Sequence, residues 1–237
     1  MLTDSLNELQ KGGLTHDIPW IISEYGYSAF GARAEVNLDG ALLNADSAGR
    51  FLTLGGNAAY LYGYEPGEII NEQSCSSGNN MLFFRDDAGH ITKPTATYWG
   101  ARLLAQEWVK PGDEVHEIYP AVSNVRSRDG EAIITAYAVR RPDGLWSLLL
   151  INKDPKRAYQ ASVVLRNTLT RAVSTFDGQV DLFQFSGAQY QLNSDPNNPF
   201  PIKAEPPEYR AITNAWRTSV ELPAYSMTVV RGKISVE

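Results

Sequence analysis

The chain has 237 residues, of which 43% are hydrophobic and 20% charged, with a formal net charge of -6. That is the balance of a globular protein able to bury a real core, and it carries no Lys/Arg cluster of the kind that binds nucleic acid. No apolar run is long enough to span a bilayer, the N-terminus has no signal-peptide pattern, and the single Cys75 excludes an internal disulfide or a multi-cysteine metal site.

Leu2, Leu6 and Leu9 mark a short amphipathic helix, closed by Gly12-Gly13. Ile21 and Ile22 have no alternating polar neighbour, so they read as a strand buried on both faces. This strand ends in Ser23-Glu24-Tyr25-Gly26. A carboxylate there is costly to bury unless it is paired. In a parallel barrel, the carboxyl ends of strands carry the chemistry. The plain alternative is a strand-end residue meeting solvent. Asp39-Gly40 then opens a helix with Ala41, Ala45, Ala48 and Leu52 on one face, and Gly55-Gly56 caps it. A second buried strand follows at 58–63, running into Tyr64, Glu65 and Pro66. A long polar loop leads from there to a helix at 97–109, which Lys110-Pro111-Gly112 stops. Strand–helix–strand–helix order means parallel β/α architecture.

After Gly112 the pattern changes. Short strands are expected at 116–123, 132–140, 146–153, 160–166, 182–185 and 226–231, with turns at Asp129-Gly130, Asp143-Gly144 and Asp177-Gly178. Tight turns without intervening helices imply antiparallel pairing, in the form of a two-sheet sandwich. Residues 194–207 read as a long surface loop.

The pattern Ile21-Ile22-Ser23-Glu24-Tyr25-Gly26 resembles barrel strand seven of the large clan of retaining glycoside hydrolases built on a (β/α)8 barrel. Residues 59–64 are similar to strand eight, and Leu222-Pro223-Ala224-Tyr225-Ser226-Met227-Thr228-Val229-Val230 to an ending of the β-domain that follows such barrels. The resemblance implies a fold that is α/β plus all-β. Residues 1–112 would be the C-terminal portion of an incomplete TIM barrel, and 113–237 an antiparallel β-sandwich. It implies Glu24 as the catalytic nucleophile, a carbohydrate substrate and no cofactor, since two carboxylates suffice for this chemistry.

The resemblance also exposes a shortfall. Such a barrel takes about 250 residues, so its first six strands would be missing. The expected acid/base glutamate follows an asparagine, but Asn7-Glu8 lies on the first helix and Asn71-Glu72 after the second strand. The chain is therefore expected to be an enzyme fragment, inactive alone and prone to self-association through open barrel edges. The alternative is a non-catalytic carbohydrate-binding or scaffold module.

Tyr27, Tyr62 and Tyr64 are candidate sugar-stacking rings, and each could equally be core. Glu65 is a candidate for substrate hydrogen bonding, with a second catalytic carboxylate or a turn residue as alternatives. Trp20, Trp99 and Trp108 are expected to pack, and Glu35 and Asp46 to be solvated or capping. The histidines His16, His90 and His116 lack metal-ligand spacing, so no metal site is expected.

Overall fold

The computed structural model describes residues 2–15, 18–27, 32–63, 82–86, 88–195, 200–213 and 219–234. Its N-terminal part holds α1 (Leu2–Lys11), β1 (Ile21–Tyr25), α2 (Ala32–Val36), α3 (Leu38–Thr53) and β2 (Ala58–Leu61). Strands β1 and β2 pair in parallel, with Ile21 opposite Ala58, Ile22 opposite Ala59 and Tyr25 opposite Leu61. The crossover between them is α3, whose buried side carries Ala41, Leu42, Ala45, Ala48 and Phe51. The apolar spacing noted above therefore sets the inner face of this helix, although Leu52 is only partly buried. Gly55, at φ 92°, closes the helix, and the Gly56 N–H donates to the Phe51 carbonyl at 3.1 Å.

A short hairpin, β3 (Phe83–Arg85) and β4 (Ile91–Pro94), precedes α4 (Ala96–Arg102). Thr95 caps α4 by accepting from the Tyr98 N–H at 3.2 Å. The helix then widens into a π-helical segment, Leu103–Trp108. Its last carbonyls are taken by arginines of the following sheet. Arg141 Nη1 donates to Glu107 O at 2.8 Å and Val109 O at 3.1 Å, and Arg231 Nη1 donates to Glu107 O at 3.2 Å.

The remaining elements are strands: β5 (Glu117–Tyr119), β6 (Ile134–Arg140), β7 (Trp146–Asn152), β8 (Tyr159–Ser162), β9 (Leu165–Arg166), β10 (Val173–Ser174), β11 (Phe176–Phe185), β12 (Tyr190–Leu192), β13 (Pro201–Ala204), β14 (Glu208–Ile212), β15 (Ser219–Leu222) and β16 (Ser226–Ile234). Six of them form an antiparallel sheet in the order β14-β11-β16-β7-β6-β5. Its two faces belong to two cores. Leu149, Ile151, Met227 and Val229 pack with Leu38, Ala41, Ala45, Leu103 and Trp108 of the helices. Leu148, Leu150 and Val230 point the other way, onto Val163 just after β8 and onto Val220 and Leu222 of β15. The helices and the sheet thus share one apolar layer. The chain is mostly strand with few helices, and among the described residues no helix is long and apolar enough to cross a membrane.

Several expectations need correction. Strand β1 is not buried on both faces: Ile21 is 55% exposed and Tyr60 of β2 is 56% exposed. A parallel strand is covered on both sides only when a full sheet and its helices surround it, and here β1 and β2 pair only with each other among the described residues. The polar loop before α4 contains the β3–β4 hairpin, held partly by Phe83 packing on Tyr98 with ring centroids 4.8 Å apart. The surface loop of 194–207 contains β13, which pairs with β12. The short α2 has too few turns for a periodic signal.

Glu35 and Asp46 are neither solvated nor capping. Glu35 is fully buried, and its carbonyl accepts from Thr97 Oγ1 at 2.5 Å. Asp46 accepts from Thr135 Oγ1 at 2.5 Å, the Tyr137 hydroxyl at 2.6 Å and Lys153 Nζ at 3.3 Å. It therefore ties α3 to the sheet. Trp108 is buried and Trp99 partly so, as packing residues should be. Trp20 stacks edge-on against Phe51 and donates from its indole to Gly55 O at 2.8 Å.

Candidate functional site

The carboxyl ends of β1 and β2 come together because the strands are parallel and adjacent. The Tyr62 N–H donates to Tyr25 O at 2.9 Å, which extends the ladder one residue beyond β2. Glu24 lies one residue before that link and is exposed. Its carboxylate accepts no hydrogen bond and joins no ion pair among the described residues. Tyr62 is 43% exposed and Tyr27 is 37% exposed, so both present ring surface near this rim. The structure thus brings Glu24 and Tyr62 to one strand end, with Tyr27 two residues beyond β1. Tyr64 and Glu65, the other two candidates, lie outside the described residues.

A second group of polar residues gathers at the start of α3, and of its members the motif reading included only Tyr225, as part of the 222–230 segment. Asp39 stands in the first turn of α3. It accepts from the Tyr225 hydroxyl at 2.5 Å and from Asn37 Nδ2 at 3.1 Å. Tyr225 occupies the left-handed region at φ 49°, and its N–H donates to Asp154 O at 2.8 Å. Burial pushes the Tyr225 phenol well above its usual range, helped by the hydrogen bond to Asp39, the Asp39 charge and the nearby Tyr27. Tyr225, one residue before β16, thereby links the C-terminal sheet to the start of α3.

A cleft of about 420 Å³ opens on the same end of α3. Arg33, Asn37 and Asp39 form one wall, and Leu192, Asn193 and Ser194 the other. Arg33 Nη2 donates to the Asn193 carbonyl and so clasps the two walls together. The sequence signals that touch this cluster were Asp39-Gly40, which marks a helix start, and the 222–230 segment that contains Tyr225. Pairing with Tyr225 across 186 positions has no local signature. Among the described residues no group of three or more His, Cys, Asp or Glu side chains is placed to hold a metal.

No protein-family profile and no curated protein matches this chain by sequence. Solved structures do match it. Over 97% of its length it superposes on CelM2, a bifunctional glucanase-xylanase from a metagenome library, at TM-score 0.57 and 18% identity. Over 98% it superposes on Cel44A, a family GH44 endoglucanase from Clostridium thermocellum, at TM-score 0.58 and 15% identity. Over 93% it superposes on the catalytic domain of GH30 xylanase C from Talaromyces cellulolyticus, at TM-score 0.57 and 14% identity. The likeness is one of fold, and that fold is glycoside-hydrolase-like. The chain spans 34%, 35% and 41% of these three structures respectively.

Proposed function

We propose that this chain is the C-terminal portion of a retaining glycoside hydrolase, with Glu24 as the nucleophile that forms the glycosyl–enzyme intermediate. Residues 1–112 are assigned to the end of a (β/α)8 barrel, and 113–237 to an antiparallel β-sandwich that shares its core with the barrel helices. The observation that carries this reading is the β1–α3–β2 unit. It is a parallel pair with Glu24 at its carboxyl rim, an uncovered face bearing Ile21 and Tyr60, and no further strand beside it among the described residues. Parallel sheets are stable with both faces covered, so this unit is best understood as part of a larger barrel. The glycoside-hydrolase-like fold and the partial span of the matched structures support the same conclusion.

The substrate is a carbohydrate; Tyr27, Tyr62 and Tyr64 are assigned to stack on its sugar faces and Glu65 to hydrogen-bond it. Retaining hydrolysis needs a second carboxyl group about 5–5.5 Å from the nucleophile, and it is assigned to the absent strands. The isolated chain therefore has no useful turnover, and its open sheet edges favour self-association.

The decisive experiment uses the parent restored with its upstream barrel. An activated 2-fluoro aryl glycoside should trap a covalent adduct, and peptide mass spectrometry should place it on Glu24. Glu24→Gln should abolish turnover while keeping ligand binding. A trapped adduct on another carboxylate, or full activity in Glu24→Gln, overturns the assignment. One observation favours a non-catalytic binding or scaffold role instead: no described donor orients the Glu24 carboxylate, whereas a nucleophile kept ionised is normally held by hydrogen bonds. Restored parent that binds oligosaccharide but hydrolyses none would establish that second reading.

A further inference from the structure

The 420 Å³ cleft between the α2–α3 corner and the β12–β13 hairpin has the composition of a binding site, and the assignment of Glu24 makes no use of it. Its volume falls within the range of small-molecule clefts, about 300–1,000 Å³. Three features indicate what it takes.

The first is charge. Arg33 and Asp39 are the ionised groups on its walls, one of each sign, so the lining is neutral overall. The second is Asn37. It sits at the N-cap position of α3, where an asparagine side chain ordinarily accepts a backbone N–H. Here the side chain makes no such bond. It turns instead to Asp39, donating through Nδ2 at 3.1 Å, which leaves its amide oxygen as an acceptor at the cleft wall. The third is rigidity. The Arg33 clasp to Asn193 joins the two walls and the Tyr225 bond to Asp39 holds one of them, so little ordering remains to be done on binding. Acceptors from Asp39 and Asn37, the Ser194 hydroxyl and the apolar Leu192, beside the Arg33 charge, together suit a ligand rich in hydroxyls with an apolar C–H face. An anion would gain from Arg33 but meet Asp39, and a cation would meet the reverse.

We propose that this cleft is a subsite for uncharged sugar residues, reached by a glycan that extends from the Glu24 rim past Tyr27 and Tyr225. This rests on the reading of the protein as a glycoside hydrolase portion, and the test separates the two. The purified chain, labelled with 15N, is titrated with cellohexaose and with xylohexaose, and glucuronic acid serves as the charged comparison. Amide shifts at Arg33, Asn37 and Ser194 with either neutral oligosaccharide are the expected result. Asn37→Ala leaves the Arg33 clasp intact, and it should weaken that binding about tenfold, in line with loss of a charge-flanked hydrogen-bonding group. Arg33→Ala should weaken it at least as much. If that variant melts early, Asn37→Ala and Ser194→Ala decide the matter. Shifts confined to Glu24 and Tyr62 would overturn the subsite and leave the rim reading standing. No shift with any sugar would count against both. Tighter binding of glucuronic acid than of the neutral sugars would overturn the ligand class.

Discussion

Two parallel or antiparallel strand sets of similar apolar content have opposite fates in this chain. In β7, five successive residues from Ser147 to Ile151 are all buried, with Leu149 and Ile151 completely so. In β1, Ile21 is 55% exposed and Ile22 only partly covered. The side chains are the same type. What differs is company: β7 has β6 and β16 on its edges, helices on one face and strands on the other, while β1 has β2 on one edge and cover on one face. Burial of an apolar strand is therefore a property of its neighbours, and among the described residues β1 has only β2 beside it.

The largest effect should come from breaking the full sheet. Ile151→Ala removes a side chain packed between sheet and helices, and it should destabilise the chain by about 2–5 kcal/mol, measured by urea denaturation. Next comes the seam between α3 and the sheet. A Cβ on Gly49 would lie 2.5 Å from the Tyr137 ring, so Gly49→Ala should cost about 1–3 kcal/mol despite its better helix propensity. A gain in melting temperature would show that the seam can open without loss.

Titration should probe the same seam more gently. Burial raises Tyr137 and Tyr190 well above the usual phenol range, and for Tyr137 the Asp46 charge adds to it. Tyr225 is raised likewise. The folded chain therefore holds these protons more tightly than the unfolded one. Their stabilisation is complete below about pH 10 and is lost as pH rises beyond it. At the other end, burial opposes the ionisation of Asp181, but hydrogen bonds from Gln179, Arg231 and Tyr209 hold its pKa below the usual carboxylate range. Its contribution is present above about pH 4 and disappears as pH falls below that. Thermal melts across pH should show a plateau with both shoulders. Loss of stability on moving from pH 7 to 9 would contradict the assignment of the tyrosines.

The smallest effect should be at Ile21. Ile21→Ala should change stability by no more than about 0.5 kcal/mol in this chain, since most of the side chain is already in water. In a restored barrel the same substitution should cost several times more. Equal, small values in both would mean that β1 is never covered.

Legibility followed the range of the interactions. The helix expected at 40–54 is α3, Leu38–Thr53, and that expected at 97–109 is α4 with its π-helical extension. Both carry a 3.6-residue apolar period, which is visible within a few turns. Strands β6, β7 and β16 lie where apolar runs between turn signals put them. The β12–β13 and β3–β4 hairpins were hidden because short, partly polar or Pro-containing segments look like loops until a partner is known. The position of Glu24 at a strand end was legible, and so was Tyr62 beside it. The cleft was not, because Arg33 and Asn193 are 160 positions apart and Asp39 and Tyr225 are 186 apart.

By itself the sequence determined the local periods, the caps and turns, and the switch from helical to strand pattern after Gly112, since each of these is decided by the backbone and side chains of a few consecutive residues. Tertiary structure alone decided that α3 and α4 share a core with the six-stranded sheet, that Asp46 faces Tyr137 instead of water, and that Ile21 stays exposed. Those outcomes depend on which surfaces meet, and an apolar or charged side chain carries no local mark of what will eventually cover it.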